Sequence, residues 1–124
     1  MIVNRYSKFS HKGKSTSKFL NRKITADGHT FHSKKEFRHY LYLKQEALNK
    51  KIYCFECQPI IQLFPDPERN TYIKYIADFK VTRNDRSVYY VDVKSEVTKK
   101  DKYYILKRKL LKWIFPKIEF IEIV

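Results

Sequence analysis

Apolar residues recur along the chain in two rhythms. Residues 34–49 carry them at helical spacing, with Phe37, Tyr40, Leu41, Ala47 and Leu48 on one arc. Ser33 stands where an N-cap belongs and Glu36 three residues on, so a helix is predicted from Ser33 to about Asn49. A second helix is predicted over residues 98–115, with Thr98 as its N-cap and Pro116 as its stop. Elsewhere the apolar positions form short runs rich in Ile, Val, Tyr and Phe, which predict strands at residues 52–57, 60–64, 72–81, 88–94 and 118–124. The first two read equally well as one bent strand. Asp27-Gly28 is hairpin-turn chemistry between two short strand-like stretches, and residues 84–87 and 65–67 are further turns. The order of helix, strands, helix and strand predicts an α+β fold. Its central sheet would be mixed and mostly antiparallel, flanked by helices, with a parallel edge gained through the last helix.

Composition narrows the class. A chain of 124 residues with 43% hydrophobic residues, ten Tyr and nine Phe fits one folded domain and leaves too little apolar material for a second core. Residues 1–20 are read as a basic arm and residues 21–124 as that domain. No apolar run approaches the ~18 residues of a membrane span, the N-terminus lacks a signal-peptide apolar region, and two cysteines are too few for a disulfide framework. A cytoplasmic protein is expected. The net charge of +14 favours a polyanionic partner, nucleic acid before an anionic membrane. Expected phosphate contacts are Lys12, Lys14, Lys18, Arg22, Lys23 and Lys34, with Lys99, Lys100, Lys102, Arg108 and Lys109 around the second helix.

Against this charge the few acids gain interest. In Tyr90-Val91-Asp92-Val93-Lys94, strand alternation puts Asp92 and Lys94 on one face and the two valines on the other. In Tyr75-Ile76-Ala77-Asp78-Phe79 a carboxylate interrupts an apolar strand. A hairpin turn centred between Asp85 and Arg86 would bring Asp78 opposite Val93, beside both Asp92 and Lys94. Two carboxylates with main-chain or water oxygens suit Mg²⁺ or Mn²⁺, and a cation so held suits phosphodiester hydrolysis. Glu36, at the edge of the apolar arc of its helix, is either a third ligand or simply a capping-box acid.

These residues resemble a known family. Asp27-Gly28, then Phe31-His32-Ser33-Lys34-Lys35-Glu36, Gln58-Pro59, Tyr75-Ile76-Ala77-Asp78-Phe79, Val91-Asp92-Val93-Lys94, Thr98 and Leu106-Lys107-Arg108-Lys109-Leu110 are similar to the small phage-encoded nucleases of the PD-(D/E)XK superfamily, often described as Holliday-junction-resolvase-like. The resemblance implies an α/β/α, restriction-endonuclease-like core and a Mg²⁺- or Mn²⁺-dependent DNA endonuclease acting on branched DNA in recombination or replication. It implies catalytic Glu36, Asp78, Asp92 and Lys94, with the three acids as metal ligands and Gln58 as an auxiliary residue. Ser95 departs from the pattern, standing where a glycine usually follows the lysine. Symmetric cutting of a four-way junction would require a homodimer.

Several alternatives stand beside this. Pro65-Asp66 with Asp78-Phe79-Lys80 also matches the superfamily signature, but Asp66 sits between prolines in an expected exposed turn. Lys107 lies on the apolar arc of the second helix, where it either snorkels over its neighbours or enters the cleft as an auxiliary phosphate contact. Cys54 and Cys57 with His29 and His32 are a formal zinc set. A three-residue offset in a strand points such pairs to opposite faces, so two buried thiols are the simpler expectation. A basic nucleic-acid-binding accessory protein without catalysis would need only the charge. If residues 1–20 act as an electrostatic clamp, deleting them weakens nucleic-acid binding and flattens its dependence on salt in a titration by fluorescence anisotropy.

Overall fold

The computed structural model describes residues 22–124, so Lys12, Lys14 and Lys18 lie outside the described residues. The chain divides into two compact units between Leu41 and Tyr42. In the first, β1 (Ile24–Ala26) and β2 (His29–Phe31) form a hairpin in which Ala26 faces His29. Asp27 and Gly28 hold the turn at φ 53° and 79°, as a two-residue primed turn requires. Helix α1 (Lys34–Leu48) begins in this unit and ends in the other. Ser33 caps it, its Oγ accepting from Glu36 N at 3.0 Å. Phe31, Phe37 and Tyr40 cluster their rings, and the Tyr40 hydroxyl donates to the Asp27 carboxylate. The helix ends where expected, but its buried stripe is Glu36, Tyr40 and Leu43. Leu48, counted on the apolar arc, is 73% exposed.

The second unit carries a four-stranded sheet in the order β3 (Cys54–Cys57), β6 (Phe79–Thr82), β7 (Val88–Val93), β8 (Phe120–Ile123). The β3–β6 and β6–β7 pairs are antiparallel and the β7–β8 pair is parallel, so the sheet is mixed and the fold is α+β. The crossover from β7 to β8 contains α2 (Glu96–Lys99) and α3 (Lys102–Ile114). Strands β4 (Ile60–Asp66) and β5 (Thr71–Ile76) pair with each other. Ile61, Leu63, Tyr75, Ala77, Tyr104 and Leu111 make the core between this pair and α3, with Phe120 packed against it.

The strand expected over residues 72–81 is in fact two, and the bent strand across residues 52–64 is likewise divided. Both break at the same level. The β3–β6 ladder ends at Cys57 opposite Phe79, and the β4–β5 ladder resumes in the same register at Ile60 opposite Ile76. Between them Gln58 takes a left-handed φ of 52°, and the ribbon is kept closed by Gln58 N to Asp78 O at 2.8 Å and Ala77 N to Pro59 O at 3.2 Å. The cause is non-local, because two strands must turn together to leave one sheet for another layer.

Other expectations are corrected. Thr98 does not cap a long helix. Ser95 caps α2 by accepting from Thr98 N, and Asp101 caps α3 by accepting from Tyr104 N, so two short side chains that compete well for helix-end N–H groups divide the segment. The last strand begins at Phe120, since Ile118 closes a turn onto the Phe115 carbonyl. Cys54 is exposed and Cys57 half-buried, so the thiols are not a buried pair. Leu111 is almost wholly enclosed, and Leu111→Ala should lower unfolding free energy by about 2–5 kcal/mol in urea titration.

Candidate active site

The bend of the ribbon places two carboxylates together. Asp78 lies just past the end of β5, where its N–H donates to Val91 O at 3.0 Å and its carbonyl accepts from Gln58 N at 2.8 Å, and Asp92 sits on β7 one residue beyond the partner of Phe79. Their backbone and side chains are tied reciprocally. Asp92 Oδ1 accepts from Asp78 N at 3.0 Å, while Asp78 Oδ2 accepts from Val93 N at 2.7 Å. The observed register sets Asp78 level with Asp92, one residue away from the expected position opposite Val93, because the hairpin turn spans residues 83–87 with Arg86 left-handed at φ 75°.

Asp92 is 0% exposed. Its Oδ2 accepts from the Tyr75 hydroxyl and lies 3.9 Å from Lys94 Nζ. Burial lifts the Asp92 carboxyl above its ordinary value, and it outweighs the opposing pull of Lys94 and of the hydrogen bonds from Tyr75 and Asp78. Burial first, and the Asp92 carboxylate second, push the Tyr75 hydroxyl far above its usual range, so it stays a donor. Lys94 shares the face of Asp92, as alternation predicts. Its Nζ stands 4.9 Å from the centre of the Tyr104 ring, and its backbone N–H donates to Ile123 O at 2.7 Å.

Tyr75 and Tyr104 escaped the sequence reasoning, as did Glu122. The Tyr104 hydroxyl donates to Glu122 Oε2, which also takes Arg108 at 3.0 Å. Glu122 lies opposite Asp92 in the parallel ladder. Burial would raise its carboxyl, but the bonds from Tyr104 and Arg108 win and hold it below the ordinary value. A tyrosine on the buried arc of a helix was the only available signal, since its hydroxyl needs a partner inside.

The remaining predicted residues fall elsewhere. Gln58 is the left-handed corner of the ribbon, its N–H on the Asp78 carbonyl. The Lys107 ammonium is taken up by the Lys74 carbonyl at 2.6 Å, and burial lowers its pKa, so this lysine ties α3 to β5. Arg108 is engaged by Glu122, whereas Lys99, Lys100, Lys102 and Lys109 are exposed, as are Arg22, Lys23 and Lys34 in the first unit. Glu36 is 4% exposed and accepts from His32 N at 3.1 Å, a variant of the capping box that reaches one residue further back. Asp66 is the last residue of β4, half-buried and paired with Thr71. The seven residue steps from Thr71 to Asp78 span roughly 20 Å along a strand, which separates Asp66 from Asp78.

Among the described residues no three Asp, Glu, His or Cys side chains converge as a metal-binding group. Asp78 and Asp92 nevertheless fit a Mg²⁺-type ion, which takes hard oxygens and is commonly held by one or two carboxylates plus water and substrate phosphate. A desolvated carboxylate whose nearest cation is 3.9 Å away also has room in its charge balance for a second one.

The family model described as "Protein of unknown function (DUF1064)" matches residues 16–124, a stretch that includes every element described above. The chain belongs to the DUF1064 family. No curated protein and no solved structure matches it. In this DUF1064 member the Asp78–Asp92 pair is the chemically distinctive feature.

Because the folded chain holds the Asp92 proton more tightly than the unfolded chain does, the associated stability is full at pH below the ordinary value of 3.8. It is lost as pH rises through the higher folded value. Asp92→Asn should therefore raise the melting midpoint of metal-free protein at neutral pH, by ~4–8 °C for each kcal/mol regained, and flatten its pH dependence. A lower midpoint at neutral pH would contradict this.

Proposed function

We propose that the protein is a metal-dependent endonuclease that hydrolyses phosphodiester bonds in DNA, with branched DNA as the substrate that its resemblance to PD-(D/E)XK nucleases suggests. The observation that carries this is the Asp78–Asp92 pair at the ribbon bend, Asp92 buried and Asp78 half-buried, with Lys94 on the same face, in a chain of net charge +14. Acids so placed would repel a polyanion unless a cation stood with them. Asp78 and Asp92 would hold it, and when bound it supplies charge neutralisation at the phosphate and makes water more acidic.

The chain's own residues do the rest. Asp92, fixed by Tyr75 and by the Asp78 N–H, presents a carboxylate that cannot rotate away. Lys94 carries a positive charge to the same face, where it stabilises charge developing on the attacked phosphate or orients the attacking water. The exposed Lys99, Lys100, Lys102 and Lys109 contact flanking phosphates without reading sequence. The resemblance gives Glu36 a ligand's role as well, and if four-way junctions are cut the active species is a dimer.

Linear duplex, single-stranded and four-way-junction DNA, each incubated with Mg²⁺, Mn²⁺ or EDTA, test the proposal. Cleavage is expected with metal and absent in EDTA. Asp78→Ala, Asp92→Ala and Lys94→Ala should each cost at least about a hundredfold in rate. Glu36→Gln should cost activity if the ligand role holds, while Asp66→Ala leaves it unchanged. Binding without cleavage of any substrate would instead assign the protein to non-catalytic nucleic-acid binding.

A further inference from the structure

Helix α3 buries Tyr104 and Leu111 and turns a very different face to solvent. Trp113 is 81% exposed, Leu106 58% and Tyr103 47%. At 3.6 residues per turn, Leu106 and Trp113 form one row along the helix, about 10 Å from end to end. Lys102 and Lys109, both exposed, form a second row immediately beside it. From residue 102 to residue 118 the chain has no acidic side chain at all. Large exposed aromatic and aliphatic groups on a helix need a reason, since water contact with them is unfavourable and rigid tryptophan is a common anchor for a partner.

The charge selects the partner. A second copy docked by the same face about a two-fold axis would bring the lysine rows together with no acid between residues 102 and 118 to neutralise them. A lipid surface would need a broad apolar face, and the apolar face of α3 is already committed to the core through Leu111 and Tyr104. A strand of unpaired nucleic acid presents what both rows require, flat apolar bases alongside phosphates.

We propose that the outer face of α3 is a stacking platform for unpaired bases, with Trp113 as its principal anchor and Lys102 and Lys109 holding the adjoining phosphates. The inference rests on nucleic acid being the partner but not on catalysis. It assigns a preference for single-stranded segments, such as those at a branch or flap, to residues outside the carboxylate pair.

Trp113 is the only tryptophan in the chain, so its emission reports this surface directly. The full chain is titrated in EDTA with oligo-dT of about ten nucleotides, and separately with blunt duplex and with phosphatidylserine vesicles. Oligo-dT should quench the emission, and at about tenfold lower concentration than duplex does. In anisotropy titrations of labelled oligo-dT, Trp113→Ala should weaken binding about tenfold and Trp113→Phe much less, with melting midpoints unchanged. Lys102→Glu with Lys109→Glu should reduce the slope of affinity against salt. No quenching by oligo-dT, equal quenching by duplex, response to vesicles alone, or concentration-dependent dimerisation abolished by Trp113→Ala would each overturn the proposal. Quenching without cleavage under metal would retain this platform while removing the nuclease, and cleavage without quenching would remove the platform alone.

Discussion

Removing a carboxylate from water is among the most expensive things a fold does, and Asp92 has no exposed surface. Its enclosure is tolerable because the ribbon breaks beside it. Asp78 stands between the two ladders there, its N–H shared between Val91 O and Asp92 Oδ1 and its own carboxylate accepting from Val93 N. Tyr75, the last buried residue of β5 before the break, supplies the second hydrogen-bond donor to Asp92. The bend at Gln58, the division of one ribbon between two sheets and the position of α3 over Tyr75 all follow from or support this one arrangement. Even so, burial leaves the Asp92 carboxyl above its ordinary value, so the donors do not fully compensate the lost water. An acid kept in that condition is better explained by a task than by stability.

Behind the pair a second layer of polar groups holds position. Tyr104 lies under Lys94 and donates to Glu122, and Arg108 closes the sequence from the helix side. Two of these groups, Tyr104 and Arg108, come from α3, and two, Asp92 and Glu122, from adjacent parallel strands. Shifting α3 would therefore disturb Lys94 as well as the core. The basic charge is divided accordingly. Lys107 is used inside the fold and the exposed Arg108 is paired with Glu122, while Lys102 and Lys109 face water beside Leu106 and Trp113.

Local chemistry was the legible part of this chain. Asp27-Gly28 specified its turn and Ser33 its helix start. The alternation of residues 90–94 put Asp92 and Lys94 on one face, where the structure has them. Long-range pairing was not legible. Nothing near residues 72–81 announces a break, because its cause is the partner strand turning at Gln58. The register slipped by one residue because turn length, not turn composition, sets it. Thr98 looked like a cap until Ser95 and Asp101 took the helix ends on either side. Tyr75, Tyr104 and Glu122 were passed over because a buried hydroxyl is recognisable only once its distant partner is known.

The central claim is that the Asp78–Asp92 pair exists to hold a cation. Titration of the intact protein with Mn²⁺, followed by the electron paramagnetic resonance of the free ion, tests it without depending on any substrate. Uptake of Mn²⁺ that is displaced by Mg²⁺ and lost in both Asp78→Asn and Asp92→Asn is predicted. Uptake that is equally strong in both variants, or no uptake by the unaltered chain, would contradict it.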